Sequence, residues 1–210
     1  MTILTFASSK GGVGKSTLTG HLAAEAERHG AGPVAIVDCD PQRSLAEWWN
    51  SREAQTPLFA RADVRRLRQD LEALARRGIA LVLIDTPPAL LDVITAAIAA
   101  ADLVVIPCRP SPHDLRTVGV VVAMCQKAEK LHALVLNGVI ARSRLTGDAM
   151  EVLRSTAPAL NTIIHQRQLF ASSMIDGRTA GEIEPRSTAA EEITALWREL
   201  STHVHLERKE

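Results

Sequence analysis

The 210 residues carry no net charge, because 24 lysines and arginines balance 24 aspartates and glutamates. Bulk attraction to a polyanion is therefore weak, and any contact with nucleic acid has to come from a local patch. Only three cysteines occur, Cys39, Cys108 and Cys125. Their odd count and the absence of a C-x-x-C pair point to reduced thiols in the core of a cytoplasmic protein and argue against an iron–sulfur site. No apolar run approaches the roughly twenty residues that cross a bilayer. The apolar start, Ile3 to Ala7, is too short for a secretory signal and leads straight into a glycine-rich turn. Low-complexity stretches and internal repeats are absent too. What is left, 46% hydrophobic and 23% charged, is the balance of a folded chain. Its length suits one sizeable core and is too short for two ordinary domains with linkers, so residues 1–210 are expected to form a single domain.

Against this background the glycine-rich turn stands out. Ser9 to Ser16 reads S-K-G-G-V-G-K-S. This is the phosphate-loop pattern G-x-x-x-x-G-K-[ST] with its first glycine replaced and an extra lysine, Lys10, ahead of the usual one. Ile3 to Ala7 has the apolar and β-branched character of a short buried strand. Ser16 to His29 reads as a helix with Leu18, Leu22, Ala23 and Ala26 on one face. Strand, turn and helix thus follow in the order a phosphate cradle needs. Glycines let the backbone wrap an anion without Cβ clashes, and the amides of Gly12 to Ser16 lie at a helix N-terminus, where unpaired donors and the dipole favour phosphate. The expected cradle comprises Gly11, Gly12, Val13, Gly14, Lys15, Ser16 and Thr17. In it Lys15 reaches the terminal phosphates, the Ser16 hydroxyl ligates Mg2+ and Thr17 touches the α-phosphate.

Two more strand ends carry acids. Pro33 to Val37 runs into Asp38-Cys39-Asp40-Pro41-Gln42, and Leu81 to Ile84 runs into Asp85-Thr86-Pro87-Pro88. Alternation places Asp38 and Asp40 on one face. In an open parallel sheet ligands bind beyond the carboxyl ends of strands, so these acids and the phosphate loop converge on one crevice. Asp85 is then the second-sphere Mg2+ acid, Asp38 a supporting metal group, and Asp40 the residue to position an attacking water. Any one of them, taken alone, reads equally well as a helix cap.

Apolar and helical stretches alternate along the rest of the chain, as in βαβ units around a parallel sheet. Further helices are expected over Arg43–Ser51, Val64–Arg77, Leu91–Ala100, Pro112–Lys130, Gly147–Thr156, Arg167–Asp176 and Thr188–His203. Strands are expected to start near Ile3, Pro33, Leu58, Ile79, Leu103, Leu134 and Thr162. Arginine outnumbers lysine 19 to 5. The run Arg61, Arg65, Arg66, Arg68, Arg76 and Arg77 is interleaved with Asp63, Asp70 and Glu72 and reads as a solvated helix face, with phosphate contact as the alternative.

With Lys10, Lys15, D-C-D-P-Q and D-T-P-P in view, the chain resembles the ParA-type ATPases of the deviant Walker A group, which also contains MinD. Within it the chain is similar to the small plasmid partition ParA proteins that lack an N-terminal helix-turn-helix, there being no segment before the first strand. The resemblance runs from Met1 to about Leu200. It implies an α/β, single-domain P-loop NTPase with a mostly parallel twisted sheet of about seven strands and helices on both faces. It implies ATP and Mg2+ as cofactors, and a sandwich homodimer formed on ATP binding in which Lys10 crosses to the partner's nucleotide. Lys10, Lys15 and Asp40 would be catalytic, Ser16, Asp38 and Asp85 would serve the metal, and Gln42 would report nucleotide state across the dimer. The C-R-P-S-P-H-D stretch after Pro107 is similar to a proline-rich turn that places Pro110 near the base and the dimer contacts; an ordinary strand-to-helix loop is the alternative. Asn137 either approaches adenine or is a buried asparagine capping a turn. Arg167 matches an arginine that holds nonspecific DNA in several relatives.

The activity so implied is DNA partition, that is, plasmid or chromosome segregation. A nucleoid-associated, cytoplasmic ATPase of weak basal rate would bind nonspecific DNA as the ATP dimer. It would be released when a ParB-like or ribbon-helix-helix adaptor stimulates hydrolysis. Positioning of another cargo, a carboxysome or chemoreceptor cluster, uses the same switch. A MinD-like membrane regulator would need a basic amphipathic C-terminal helix. Here Ile193, Leu196, Trp197, Leu200 and Val204 form a stripe, but Glu191, Glu192, Glu199 and Glu207 offset Arg198, Arg208 and Lys209, so the stripe reads as packed on the sheet and no membrane partner is expected. A metabolic ATPase or ligase would need a substrate pocket, for which Trp48 and Trp49 are the aromatic candidates, though core or interface is the commoner fate of such residues.

Overall fold

The computed structural model describes residues 1–204; Glu207, Arg208 and Lys209, weighed above against the C-terminal stripe, lie outside them. Seven strands, β1 (Thr2–Phe6), β2 (Val34–Asp38), β3 (Leu58–Ala60), β4 (Leu81–Asp85), β5 (Leu103–Cys108), β6 (Leu131–Val139) and β7 (Ala159–His165), form one sheet in the order β3-β2-β4-β1-β5-β6-β7. Every pairing is parallel, so the expected mostly parallel sheet is wholly parallel among the described residues. Parallel strands need crossovers on the sheet faces and are buried on both sides. The chain meets this with near-continuous apolar runs such as Leu81-Val82-Leu83-Ile84, all fully buried.

The helices are α1 (Lys15–Arg28), α2 (Ser44–Asn50), α3 (Leu67–Arg76), α4 (Leu91–Ala100), α5 (Pro112–Lys127), α6 (Leu145–Thr156), α7 (Gln168–Ser173), α8 (Ala180–Ile183) and α9 (Thr188–His203). Strand alternation sorts the core. Leu4, Phe6, Leu81 and Leu83 pack with Leu18 and Leu22 of α1, Trp48 of α2, and Leu196 and Trp197 of α9. Val104, Ile106 and Leu136 face the other way, against Ile94 of α4, Val121 of α5 and Leu153 of α6. The C-terminal stripe is therefore core: Ile193, Leu196, Trp197 and Leu200 are buried. Among the described residues no helix is long and apolar enough to cross a membrane.

Against expectation α5 ends at Lys127 rather than Lys130 and α6 begins at Leu145 rather than Gly147, and three further helices are shaped differently. Arg43 takes a left-handed conformation (φ 56°), so the helix after D-P-Q begins one residue later. The arginine-rich stretch opens with a 3-10 turn at Val64–Arg66, in which the Asp63 side chain accepts from the Arg65 amide. The helix expected over Arg167–Asp176 stops at Ser173; the turn that follows contains Gly177 at φ 78°, and α8 then starts in a capping box made by Thr179 and Glu182. Gly177 has a second reason to be glycine, since a Cβ there would lie 2.4 Å from the Arg52 amide nitrogen.

Candidate functional site

The loop after β1, the D-C-D-P-Q stretch after β2 and the D-T-P-P stretch after β4 all lie at the carboxyl edge of adjacent strands. Register fixes their relative height: Phe6 pairs with Asp85, and Asp85 pairs with Asp38. The Cys39 amide donating to the Asp85 carbonyl at 2.9 Å extends the ladder past the last strand residue, and the Thr86 hydroxyl donates to the Phe6 carbonyl at 2.8 Å.

Gly12 (φ 74°) and Gly14 (φ 92°) are left-handed, the region glycine enters without penalty. Gly14 is the N-cap of α1, so the cradle opens on a helix N-terminus. Lys15 is buried, its Nζ 3.3 Å from the Lys10 carbonyl oxygen. Burial lowers its pKa, opposed by the charges of Asp85 and Asp40; a cation held against its own desolvation is set up to meet an anion. The Ser16 hydroxyl donates to Asp85, whose other oxygen is buried with no hydrogen-bond partner. Burial, the largest cause, pushes the Asp85 pKa up to about 7, with Asp38 and Asp40 adding to it and Ser16 and Lys15 opposing. An orphaned buried carboxylate oxygen beside a serine hydroxyl at an anion cradle fits Mg2+, which is commonly held by one or two protein oxygens plus substrate phosphates rather than by a protein cage.

Asp38 differs from its expected role. One of its oxygens accepts from the Asp40 amide at 2.9 Å and the other from the Ala46 amide of α2 at 3.0 Å. It caps the turn that carries Asp40 and the start of α2, the structural alternative for these acids, while Ser16 and Asp85 form a pair with one carboxylate oxygen open to a cation. Asp40 is half-buried and turns one oxygen to the Gln42 amide at 2.9 Å. Lys10 forms an ion pair with Asp114, a buried residue of α5 whose carboxylate also takes the Ser111 hydroxyl at 2.6 Å. That pair and Ser111 hold the Asp114 pKa below the usual carboxylate range, although burial acts the other way as the largest influence.

Beside the loop, on the β5–β7 side, lies a cleft of about 780 Å3 lined by Gly14, Thr17, Arg109, Asn137, Arg167 and Phe170 among others. Its position fits a nucleoside. Pro110 is not among its lining residues; Arg109, one residue earlier, faces it, because the chain turns away at the Ser111 amide, which donates to the Arg109 carbonyl at 2.8 Å. Asn137 does line the cleft, but its Nδ2 donates to the Val13 carbonyl at 2.7 Å rather than waiting for a base. Arg167 also borders the cleft and is ion-paired with Glu192 of α9, which in addition takes the His165 ring nitrogen at 2.7 Å. Trp48 borders a second, smaller pocket with Ser16, Thr17 and Met174, while the indole nitrogens of Trp48 and Trp49 donate to the Arg178 carbonyl at 3.0 Å and the Pro57 carbonyl at 2.8 Å. Of the arginine run, Arg68 pairs with Glu72 on an exposed face, as interleaved charges predict.

Sequence reading missed His21, which lies buried in the second turn of α1, facing α7. Its Nδ1 bonds the Thr17 carbonyl at 2.8 Å, its Nε2 meets the Ser173 hydroxyl at 3.2 Å, and its ring stands edge-on to Phe170 at 5.2 Å. Burial lowers its pKa to about 4.

A strand, a phosphate loop with Ser16 against a buried aspartate, and a nucleoside-sized cleft beside it define a P-loop nucleotide-binding protein. More particularly, the chain belongs to the CobQ/CobB/MinD/ParA nucleotide binding domain family, which matches residues 4–180. It is 32% identical over 209 residues to the maintenance of carboxysome distribution protein A of Halothiobacillus neapolitanus, covering 94% of this chain and 95% of that one. Protein ParA of Rhizobium radiobacter is 37% identical over 116 residues, 54% of this chain and 51% of its own. Among solved structures, the septum site-determining protein MinD of Pyrococcus horikoshii, complexed with Mg-ADP, superposes with a TM-score of 0.81 at 19% identity, over 100% of this chain and 99% of that one.

Proposed function

We propose that the chain is a ParA-type ATPase that positions a cargo by cycling between an ATP-bound homodimer on nonspecific DNA and a released ADP form. The observation that carries this is the double-lysine loop facing Asp40 and the Ser16–Asp85 pair across one crevice. In this reading Gly11 to Thr17 hold the phosphates, Lys15 offsets their charge, Ser16 and Asp85 hold Mg2+, and Asp40 orients water toward the terminal phosphate. When bound, Mg2+ supplies charge neutralisation at the transferring phosphoryl group. Lys10 must exchange Asp114 for the partner's nucleotide before a dimer can close, so the free subunit holds its own crossing lysine in reserve.

The cargo follows less directly. DNA partition with a ParB-like or ribbon-helix-helix adaptor and positioning of a protein compartment use one switch. The nearly full-length similarity to a carboxysome distribution protein favours the second, whereas the similarity to ParA covers about half of each chain. The deciding experiment is light scattering and DNA co-sedimentation with ATP, ADP and a non-hydrolysable analogue. ATP-dependent dimerisation and DNA retention are expected, both lost in Lys10→Ala. A chain that stays monomeric with the analogue would refute the reading.

A further inference from the structure

We infer that Asn137 is a positioning residue for the phosphate loop: by holding the Val13 carbonyl it presets the Gly14 amide toward the phosphates, whatever base the nucleotide carries. The inference rests on the nucleotide reading above and concerns how its cradle is kept in shape.

Asn137 lies in β6, two strands away from the β1 that launches the loop, and 124 residues along the chain from Val13. By strand alternation it shares a face with Val135, which packs into the core under α1, whereas Leu136 points into the opposite core. A ladder irregularity against β7 follows immediately, between Asn137 and Val139, with Gly138 at φ 69°. Such bulges re-aim neighbouring side chains, and here the amide is delivered to the loop backbone. The fit is close, since a Cβ on Gly14 would stand 2.2 Å from Asn137 Nδ2. Gly14 is thus required by its φ of 92° and again by the asparagine seated against it.

The peptide between Val13 and Gly14 is planar and trans, so its carbonyl and its N–H point in opposite directions. Fixing the carbonyl on Asn137 therefore turns the Gly14 N–H away from β6, into the loop. Gly14, on one side of this peptide, is left-handed at φ 92°, and because glycine enters either sign of φ without penalty, the orientation of the peptide is not fixed by the backbone alone. The buried Val13 side chain, 2% exposed, anchors one end of this peptide and the Asn137 amide anchors the other. A cradle whose donors are already aimed loses less ordering freedom on binding.

The test is to measure dissociation constants for ATP, GTP and inorganic tripolyphosphate, each with Mg2+, in the full chain and in Asn137→Ala. All three are expected to weaken by a common factor, about tenfold, the effect of one well-placed hydrogen bond. If tripolyphosphate binding is unchanged while ATP weakens, Asn137 reads the base and the inference is wrong. Asn137→Asp, which keeps the shape and replaces the donor with an acceptor, covers the case in which the alanine variant does not fold. Amide hydrogen exchange of residues 11–16 without ligand gives a readout that general destabilisation does not mimic. Faster exchange confined to that peptide is expected, and unchanged exchange overturns the inference. Should the wild-type chain bind none of the three ligands, the nucleotide reading fails, and the exchange measurement still decides this one.

Discussion

The carboxyl edge of the sheet has two unlike halves, divided by the phosphate loop after β1. On one side, beyond β2 and β4, stand Asp38, Asp40 and Asp85; on the other, beyond β5, β6 and β7, stand Arg109, Arg142, Arg144 and Arg167. A chain of zero net charge thus sorts these acids and arginines to opposite halves of one edge through its strand order. The acids are buried or half-buried, Asp38 bonded through both oxygens and Asp40 and Asp85 through one each, whereas Arg142 and Arg144 are exposed. Chemistry on a metal-bound phosphate suits the first half, which can hold a cation in a fixed place. Contact with an extended polyanion suits the second, where Arg142 and Arg144 are exposed and pair with no carboxylate among the described residues.

The largest effect expected is on the acidic half. Asp40→Ala removes the one acid there that is neither wholly engaged as a cap nor paired with Ser16. Turnover should fall by about a hundredfold or more, the usual loss when a group acting on the reacting centre is deleted, while ATP-dependent dimers persist. Phosphate release and light scattering on the same sample check this. If hydrolysis survives intact, the acid that orients water lies elsewhere on the edge.

The next effect joins the halves. His21 ties α1, which carries the phosphate loop, to Ser173 and Phe170 of α7, which walls the cleft on the arginine side. Burial favours its neutral form and lowers the pKa from 6.5 to about 4. Unfolding therefore takes up a proton in that window, so stability due to the neutral ring is complete above pH 6.5 and is lost as pH falls toward 4. Urea denaturation at pH 7 and pH 4 should show the wild type losing about 3 kcal/mol that His21→Gln does not lose. Parallel pH slopes in the two proteins would mean the ring charges without unfolding.

These halves were unequally legible in the sequence. The phosphate loop, the three acids and the order of elements are written in local signals: glycine spacing, apolar runs ending in Asp, and helical periodicity. The capping box that starts α8 was also local, as Thr179-x-x-Glu182 after Asp176-Gly177, and was there to be read. The cleft side depends on pairings no local pattern carries. Asn137 meets Val13, Lys10 meets Asp114 and Arg167 meets Glu192 only because the sheet order sets those strands and helices side by side. Asp38 illustrates the limit within a well-read motif, because an acid at a strand end is equally suited to a metal and to a helix N-terminus, and only the Ala46 amide distinguishes them.

The smallest effect expected concerns which arginines would touch DNA in the proposed cycle. The family resemblance points to Arg167, yet Glu192 takes its guanidinium through both Nε and Nη2, so its charge is largely answered within the subunit. Arg142 and Arg144, on the loop between β6 and α6, are exposed, and no carboxylate pairs with them among the described residues. Each phosphate contact contributes close to one unit of salt dependence to DNA affinity. Removing Arg142 and Arg144 together should lower the slope of log affinity against log salt by up to about two units, with Arg167→Ala changing it by less than one. Titrating a fluorescent duplex against the ATP-bound protein at several salt concentrations separates these outcomes. If Arg167→Ala has the larger effect, Glu192 must release the arginine on dimer formation, and the charge division of the sheet edge would be a property of the free subunit alone.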